Sequence, residues 1–329
     1  MNNTRILIVA PAWLGDLVIS ISLINVLKKA HKDSEIDLLV NKNLVDIAKY
    51  FPNVSNVITS DTRHGKLSLI YRINLGYKLR KNNYSHCYIL SNSLKSSIIP
   101  FVAKIKHRVS YLGEFRYGLV NNVISKIDRK EGMANRYLNL IGAKYISEYE
   151  PYITLKDSNM EVLNKFEIKK SYIVFCPDAE FGPAKKWPTE KWIDLANILQ
   201  RTYQVVFVGV HAFSTSLADK MKNDNYINLI GKTTLEEATV ILSQSICVVS
   251  NDSGLMHVAA ALDKPIVGIY GSSSPEYTPP LTASDKRAII YQNLSCSPCF
   301  NRVCPLEHLN CLNDISVDSV CQSITRLIQ

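Results

Sequence analysis

Arg5-Ile-Leu-Ile-Val-Ala-Pro-Ala-Trp-Leu-Gly-Asp-Leu-Val-Ile-Ser20 contains the first regular element of the chain. After Arg5 its next five residues are apolar and rich in β-branched side chains, Pro11 closes the run, and from Asp16 to Ala30 apolar residues return at helical spacing. A strand, a loop and a helix in that order make a βα opening. Further strands are expected at 36–40, 87–90 and 107–109, with helices over 67–81 and 133–141. A polar, Pro-containing stretch at 149–159 reads as a linker. The alternation then restarts, with strands at 172–175, 204–209, 246–250 and 265–270 and helices at 189–201 and 253–262. Val205-Val-Phe-Val208 and Ile266-Val-Gly-Ile269 do not alternate in polarity, which suits parallel strands covered by helices on both faces. The expected fold is α/β, two doubly wound domains at 1–150 and 151–329, with a last helix over 317–328 packing back across to the first.

Composition agrees with two folded domains. The 329 residues are 47% apolar and 20% charged, with 13 Gly and 8 Cys. That excludes disorder, collagen and a small disulfide scaffold. Lys and Arg outnumber Asp and Glu by 38 to 29, a net charge of +9. Counted by halves, residues 1–150 hold 22 cationic and 11 acidic residues, leaving 16 and 18 for the remainder, so the halves carry +11 and −2. A one-sided basic domain implies an acidic partner, or else a generic solubilising surface. The apolar segment 6–27 is interrupted by Pro11, Gly15 and Asp16 and lacks the flanks of a signal peptide. A cytoplasmic protein with reduced thiols is expected.

Ligands of doubly wound sheets bind beyond the carboxyl ends of the strands, and three loops fall there. Pro11-Ala-Trp-Leu-Gly15-Asp16 follows the first strand with one carboxylate at the mouth of a helix, where Asp16 is either an N-cap or a general base. It lacks the three glycines of a dinucleotide fingerprint. Cys176-Pro-Asp-Ala-Glu180-Phe-Gly-Pro-Ala-Lys185-Lys186-Trp187-Pro188 is rigid and ends in two cations ahead of a helix for which Thr189 is the expected cap. Lysines beside a helix N-terminus suit a phosphate, although a lysine pair is also an ordinary solvated surface. Ser250-Asn-Asp252-Ser253-Gly254-Leu-Met-His257 turns from strand to helix with backbone donors facing outward. His257 is either a buried structural histidine or a donor to the same anion.

These loops, with Arg116-Tyr-Gly-Leu-Val-Asn121 and Tyr270-Gly-Ser-Ser-Ser-Pro-Glu-Tyr-Thr-Pro-Pro-Leu281, resemble glycosyltransferase family 9, the lipopolysaccharide heptosyltransferases, and within it the type II branch. The resemblance implies a GT-B fold of two facing Rossmann-like domains, the acceptor in the first and ADP-heptose mostly in the second. It implies inverting transfer of L-glycero-D-manno-heptose to the heptosyl-Kdo-lipid A core, with Asp16 as base, Lys185 and Lys186 near the diphosphate, and Asp252, Ser253, Gly254 and His257 holding it. Trp13 and Arg116 are the implied acceptor contacts. The alternatives are another family 9 transferase, acting on a first or later core heptose or a different sugar, and a non-catalytic binding protein with the same fold. Where some relatives place a ribose-binding Glu, this chain has Val210-His-Ala-Phe-Ser214. The expected partners are ADP-heptose, the anionic Kdo-lipid A acceptor and the inner membrane surface, touched peripherally from the cytoplasmic side, with no nucleic acid and a monomeric chain.

No cofactor is expected, and no divalent metal for catalysis. The chain has no Asp-x-Asp triplet, the carboxylate device that presents a metal to a sugar-nucleotide diphosphate. Cys296, Cys299, Cys304 and Cys311 lie close enough in sequence to hold a structural zinc, or to be reduced packing thiols or a redox group.

Overall fold

A computed structural model describes residues 4–62, 66–125, 129–155, 161–169, 171–211 and 220–329. The chain divides into two compact units, Met1–Pro151 and Tyr152–Gln329.

The first unit is a six-stranded parallel sheet of β1 (Arg5–Val9), β2 (Glu35–Asn41), β3 (Asn56–Ser60), β4 (His86–Ile89), β5 (His107–Tyr111) and β6 (Asn122–Ile124), ordered β3-β2-β1-β4-β5-β6. Its helices are α1 (Leu14–Ile19), α2 (Ile21–Ala30), α3 (Val45–Ala48), α4 (Leu69–Leu79), α5 (Leu94–Val102) and α6 (Gly132–Leu138). Ile6, Leu7 and Ile8 are at most 2% exposed, because successive side chains of β1 point to opposite faces and both faces are covered. The single helix expected over 16–30 is two. The Ser20 hydroxyl donates back to the Leu17 carbonyl at 2.6 Å, a local bond that competes with the helical ladder.

The second unit repeats the plan with β7 (Tyr172–Cys176), β8 (Gln204–Phe207), β9 (Tyr226–Asn228), β10 (Cys247–Asn251), β11 (Ile266–Tyr270) and β12 (Arg287–Tyr291), all parallel in the order β12-β11-β10-β7-β8-β9. Its helices are α7 (Glu161–Lys165), α8 (Thr189–Leu199), α9 (Leu235–Gln244), α10 (Gly254–Ala261), α11 (Asn310–Asn313) and α12 (Val317–Ile328). One face carries an aromatic cluster in which Trp192 packs against Trp187 at 5.3 Å and Phe175 at 5.2 Å between ring centroids. The last helix, α12, buries Val320 and Ile324 in this same core of the second unit.

Each sheet reverses its strand order beside its first strand, between β1 and β4 and between β7 and β10. The loops leaving those four strands therefore border the crevices in which such sheets take ligands.

Candidate active site

In the first unit the loop after β1 leads into α1, whose N-cap is Trp13 in extended conformation. Asp16 is the third residue of the helix, so it is not the cap. A half-buried carboxylate in the first turn is held where the helix dipole favours its negative charge. Trp13 is 39% exposed at the same mouth.

Arg116 is placed differently from the acceptor contact expected of it. It is wholly buried, and its guanidinium donates to the Ser91 carbonyl at 2.8 Å, the Tyr111 carbonyl at 2.6 Å and the Ser110 hydroxyl at 2.5 Å. Further bonds reach the hydroxyls of Ser96 and Ser97. Burial lowers its pKa to about 10, still well above neutrality. It ties the loop after β4, the start of α5 and the end of β5 together, which makes it a positioning residue for the switch-point loop.

In the second unit the loop after β7 and the turn after β10 meet. The Lys185 ammonium lies 2.5 Å from a carboxylate oxygen of Asp252. The Asp252 side chain is 3% exposed and the Lys185 side chain 17%, so the lysine is the partner nearer the surface. Lys185 also sits 5.0 Å from the centroid of the Phe181 ring, and the Arg302 guanidinium lies 5.3 Å from that same ring. Lys186 pairs with Asp178 at 2.6 Å. Burial pushes the Asp178 carboxyl up, but Lys186 and the His211 N–H together outweigh that and hold it below its ordinary value. Asn251 joins the two loops, accepting from the Trp187 N–H at 3.1 Å and donating to the Pro177 carbonyl at 2.6 Å. Trp187 is 2% exposed, so the lysines stand on an anchored loop. α8 begins at Thr189 with Pro188 as its N-cap. The extended Trp187–Pro188 link thus takes the place expected for a Thr189 cap.

At α10 the N-cap Ser253 makes no side-chain cap bond, and the leading N–H groups of a helix have no acceptor within it. His257 is 5% exposed, with Nε2 3.9 Å from Asp252 and Nδ1 unpartnered. Burial, reinforced by Lys185 and only partly offset by Asp252, lowers its pKa to about 4, so the ring is neutral at physiological pH. The hydroxyls of Ser272 and Ser273, just past β11, are buried without a partner. This crevice therefore combines the Lys185 ammonium, unused helix donors and two orphaned hydroxyls, a donor set suited to an oxyanion-rich ligand. The structure brings Lys185 and His257 to Asp252 beside Ser253 and Gly254, while Lys186 turns to Asp178. Asp178, Phe181, Arg302, Ser272 and Ser273 join them without having been singled out from sequence. The Ser-Ser-Ser run after an apolar strand is the signal that marks the last two, whereas Arg302 is near only through long-range folding.

The family described as glycosyltransferase family 9 (heptosyltransferase) matches residues 72–310. The chain belongs to this family. It is 36% identical over 299 residues to lipopolysaccharide heptosyltransferase 2 of Salmonella typhimurium, covering 84% of this chain and 86% of that one. It is 38% identical over 308 residues to lipooligosaccharide heptosyltransferase 2 of Haemophilus influenzae, covering 87% and 88%. Among solved structures it matches the E. coli ADP-heptose lipopolysaccharide heptosyltransferase II with a TM-score of 0.81 and 31% identity, over 99% of this chain and 98% of that one.

In this family 9 glycosyltransferase the cysteine-rich segment braces the crevice. The Ser297 hydroxyl donates to the Gly271 carbonyl at 2.6 Å, the Phe300 N–H to Ser272 at 2.7 Å, and the Arg302 carbonyl accepts from the Ala184 N–H at 3.1 Å. Cys296, Cys299, Cys304 and Cys311 are free thiols. Among the described residues no three His, Cys, Asp or Glu side chains converge as metal ligands. Of the stretch considered for the ribose, Val210 and His211 donate their N–H groups to Asp178, and residues 212–214 lie outside the described residues. No described helix is long and apolar enough to cross a membrane.

Proposed function

We propose that this transferase moves L-glycero-D-manno-heptose from ADP-heptose to the heptosyl-Kdo-lipid A inner core with inversion, working as a monomer at the cytoplasmic face of the inner membrane. The names of its relatives support this donor and acceptor class. The observation that carries the reading is the crevice at the β7 and β10 ends, where the Lys185–Asp252 pair, the α10 N-terminus and the unpartnered Ser272 and Ser273 hydroxyls lie together. A leaving diphosphate gains charge as its bond to the anomeric carbon breaks, and an ammonium with preorganised N–H and O–H donors stabilises that charge. Asp252 keeps Lys185 extended toward the ligand, and neutral His257 adds no charge of its own. On the acceptor side Asp16 takes the proton of the attacking hydroxyl, whose oxygen bonds to the anomeric carbon as ADP departs. Arg116 acts at one remove by fixing the loop after β4.

The deciding experiment measures ADP release with three acceptors: Kdo-lipid A, the same carrying one heptose, and the same carrying two. Release with the singly heptosylated acceptor alone is expected. Release with unheptosylated Kdo-lipid A, or only with the doubly heptosylated form, would move the enzyme to another step of core assembly. No release with any of the three would reject the acceptor class.

A further inference from the structure

Between Asp61 and Glu114 the chain has no carboxylate, yet it carries ten Lys and Arg residues. In the structure much of this charge gathers on one flank of the first unit, where α4 packs beside α5. Gly76 makes the pairing close, since a Cβ there would lie 2.7 Å from Val102 Cβ. That approach leaves a groove of about 610 Å³ along the flank, lined by Ile73, Tyr77, Phe101 and the cations Arg80, Lys104 and Lys106. Arg80 stacks 4.1 Å from the centre of the Tyr77 ring. Among the described residues Lys78, Lys81, Lys104 and Lys106 form no ion pair with a carboxylate. Apolar side chains stand out among these cations. Ile70 is 76% exposed, Tyr77 54% and Phe101 47%. Along α4, Ile70, Ile73 and Tyr77 recur at helical spacing on one stripe, with Lys78 beside it and Lys81 in the turn that follows.

We propose that this flank, α4 with the α5–β5 turn, docks the enzyme on an anionic lipid bilayer. Uncompensated cations attract an acidic surface. Aliphatic and aromatic tips inserted at the headgroup boundary favour lipid over nucleic acid, which has no use for an exposed isoleucine. In this parallel sheet α4 runs from the carboxyl edge, which bears the Asp16 loop, back to the amino edge, where the groove lies beside the start of β5. The proposal rests on the reading of a lipid-anchored acceptor for its purpose, but its geometry stands without it.

The test uses the full chain and flotation with vesicles of phosphatidylglycerol and phosphatidylethanolamine, or of phosphatidylcholine alone. Wild type is expected to float with the anionic vesicles only. At roughly fivefold in partitioning per cation, the variant K78E/K81E/K104E/K106E should bind them at least about 100-fold more weakly. The variant I70S/F101S should lose about tenfold while keeping its preference for anionic lipid. Both variants should release ADP with a delipidated, water-soluble acceptor at the wild-type rate, which also shows that they fold. Equal flotation with neutral and anionic vesicles, or undiminished flotation of the charge-reversed variant, would overturn the proposal. Tighter binding of a fluorescent single-stranded oligonucleotide than of vesicles would assign the flank to nucleic acid instead. Flotation as expected with no ADP release from any acceptor would remove the acceptor reading and leave the docking surface standing.

Discussion

Single residues set the chemistry here through where their charge can go. Asp16 sits in the first turn of α1 and not at its cap, so replacing it with Asn should leave the helix formed. Asp16→Asn should keep ADP affinity within about twofold and lower turnover by roughly 10² to 10⁴. Steady-state kinetics beside ADP titration would check this, and unchanged turnover would show that the carboxylate only serves the helix dipole. His257 titrates against stability. Its folded pKa is held down to about 4 by burial, while Asp252 pulls it up and Lys185 down, and the unfolded value is near 6.5. Above pH 6.5 both states are neutral and it contributes no pH dependence. Between pH 6.5 and 4 the unfolded chain takes up a proton that the folded one refuses, so stability falls as the pH is lowered, by about 3 kcal/mol in all. In urea titrations His257→Leu should lack this part of the acid sensitivity, and parallel curves for the two proteins would contradict a buried neutral ring.

At the scale of elements, the loop after β7 shows how backbone geometry fixes the place of side chains. Gly182 has φ +152°, and a Cβ there would come 2.5 Å from the Arg302 carbonyl oxygen. Gly182→Ala should therefore displace the loop that presents Lys185, costing about 1–3 kcal/mol of stability and weakening ADP binding about tenfold. Isothermal titration with a thermal melt would measure both, and a variant that melts lower but binds ADP normally would separate the loop from the site. The elements best read from sequence are those whose pattern is decided locally. Tyr172–Cys176 and Ile266–Tyr270 are buried along their whole length and appear in the sequence as unbroken apolar runs. β3 and β6 do not, because Asn56–Ser60 and Asn122–Ile124 are short edge strands in which only Ser60 is buried. α5 is masked by Pro100 inside it. α9 is passed over although Thr234 and Glu237 form a capping box that announces it. For the site, the motif residues are legible, whereas Arg302 and the burial of Arg116 depend on contacts between distant stretches that no periodicity encodes.

Across the whole molecule, charge is divided according to task. The first 150 residues carry +11 and the rest −2, yet the crevice at the β7 and β10 ends is in the second half, where Lys185 is paired to Asp252 and Lys186 to Asp178. Such a crevice attracts an anion through placed donors more than through net charge, and it is the long carboxylate-free stretch of the first half that supplies the general field. In the proposed transfer the leaving diphosphate takes its neutralisation from Lys185, the α10 N-terminus and neighbouring hydroxyls, and the chain contains no Asp-x-Asp triplet to present a divalent ion in their place. Initial rates of ADP release should therefore be the same in excess EDTA as in millimolar magnesium, whereas Lys185→Ala should lower turnover by roughly 10² or more in both. If EDTA abolishes the rate and magnesium restores it, the leaving group is carried by a metal. If EDTA is without effect but Lys185→Ala is nearly as fast as wild type, the diphosphate is stabilised by groups other than the Lys185–Asp252 pair.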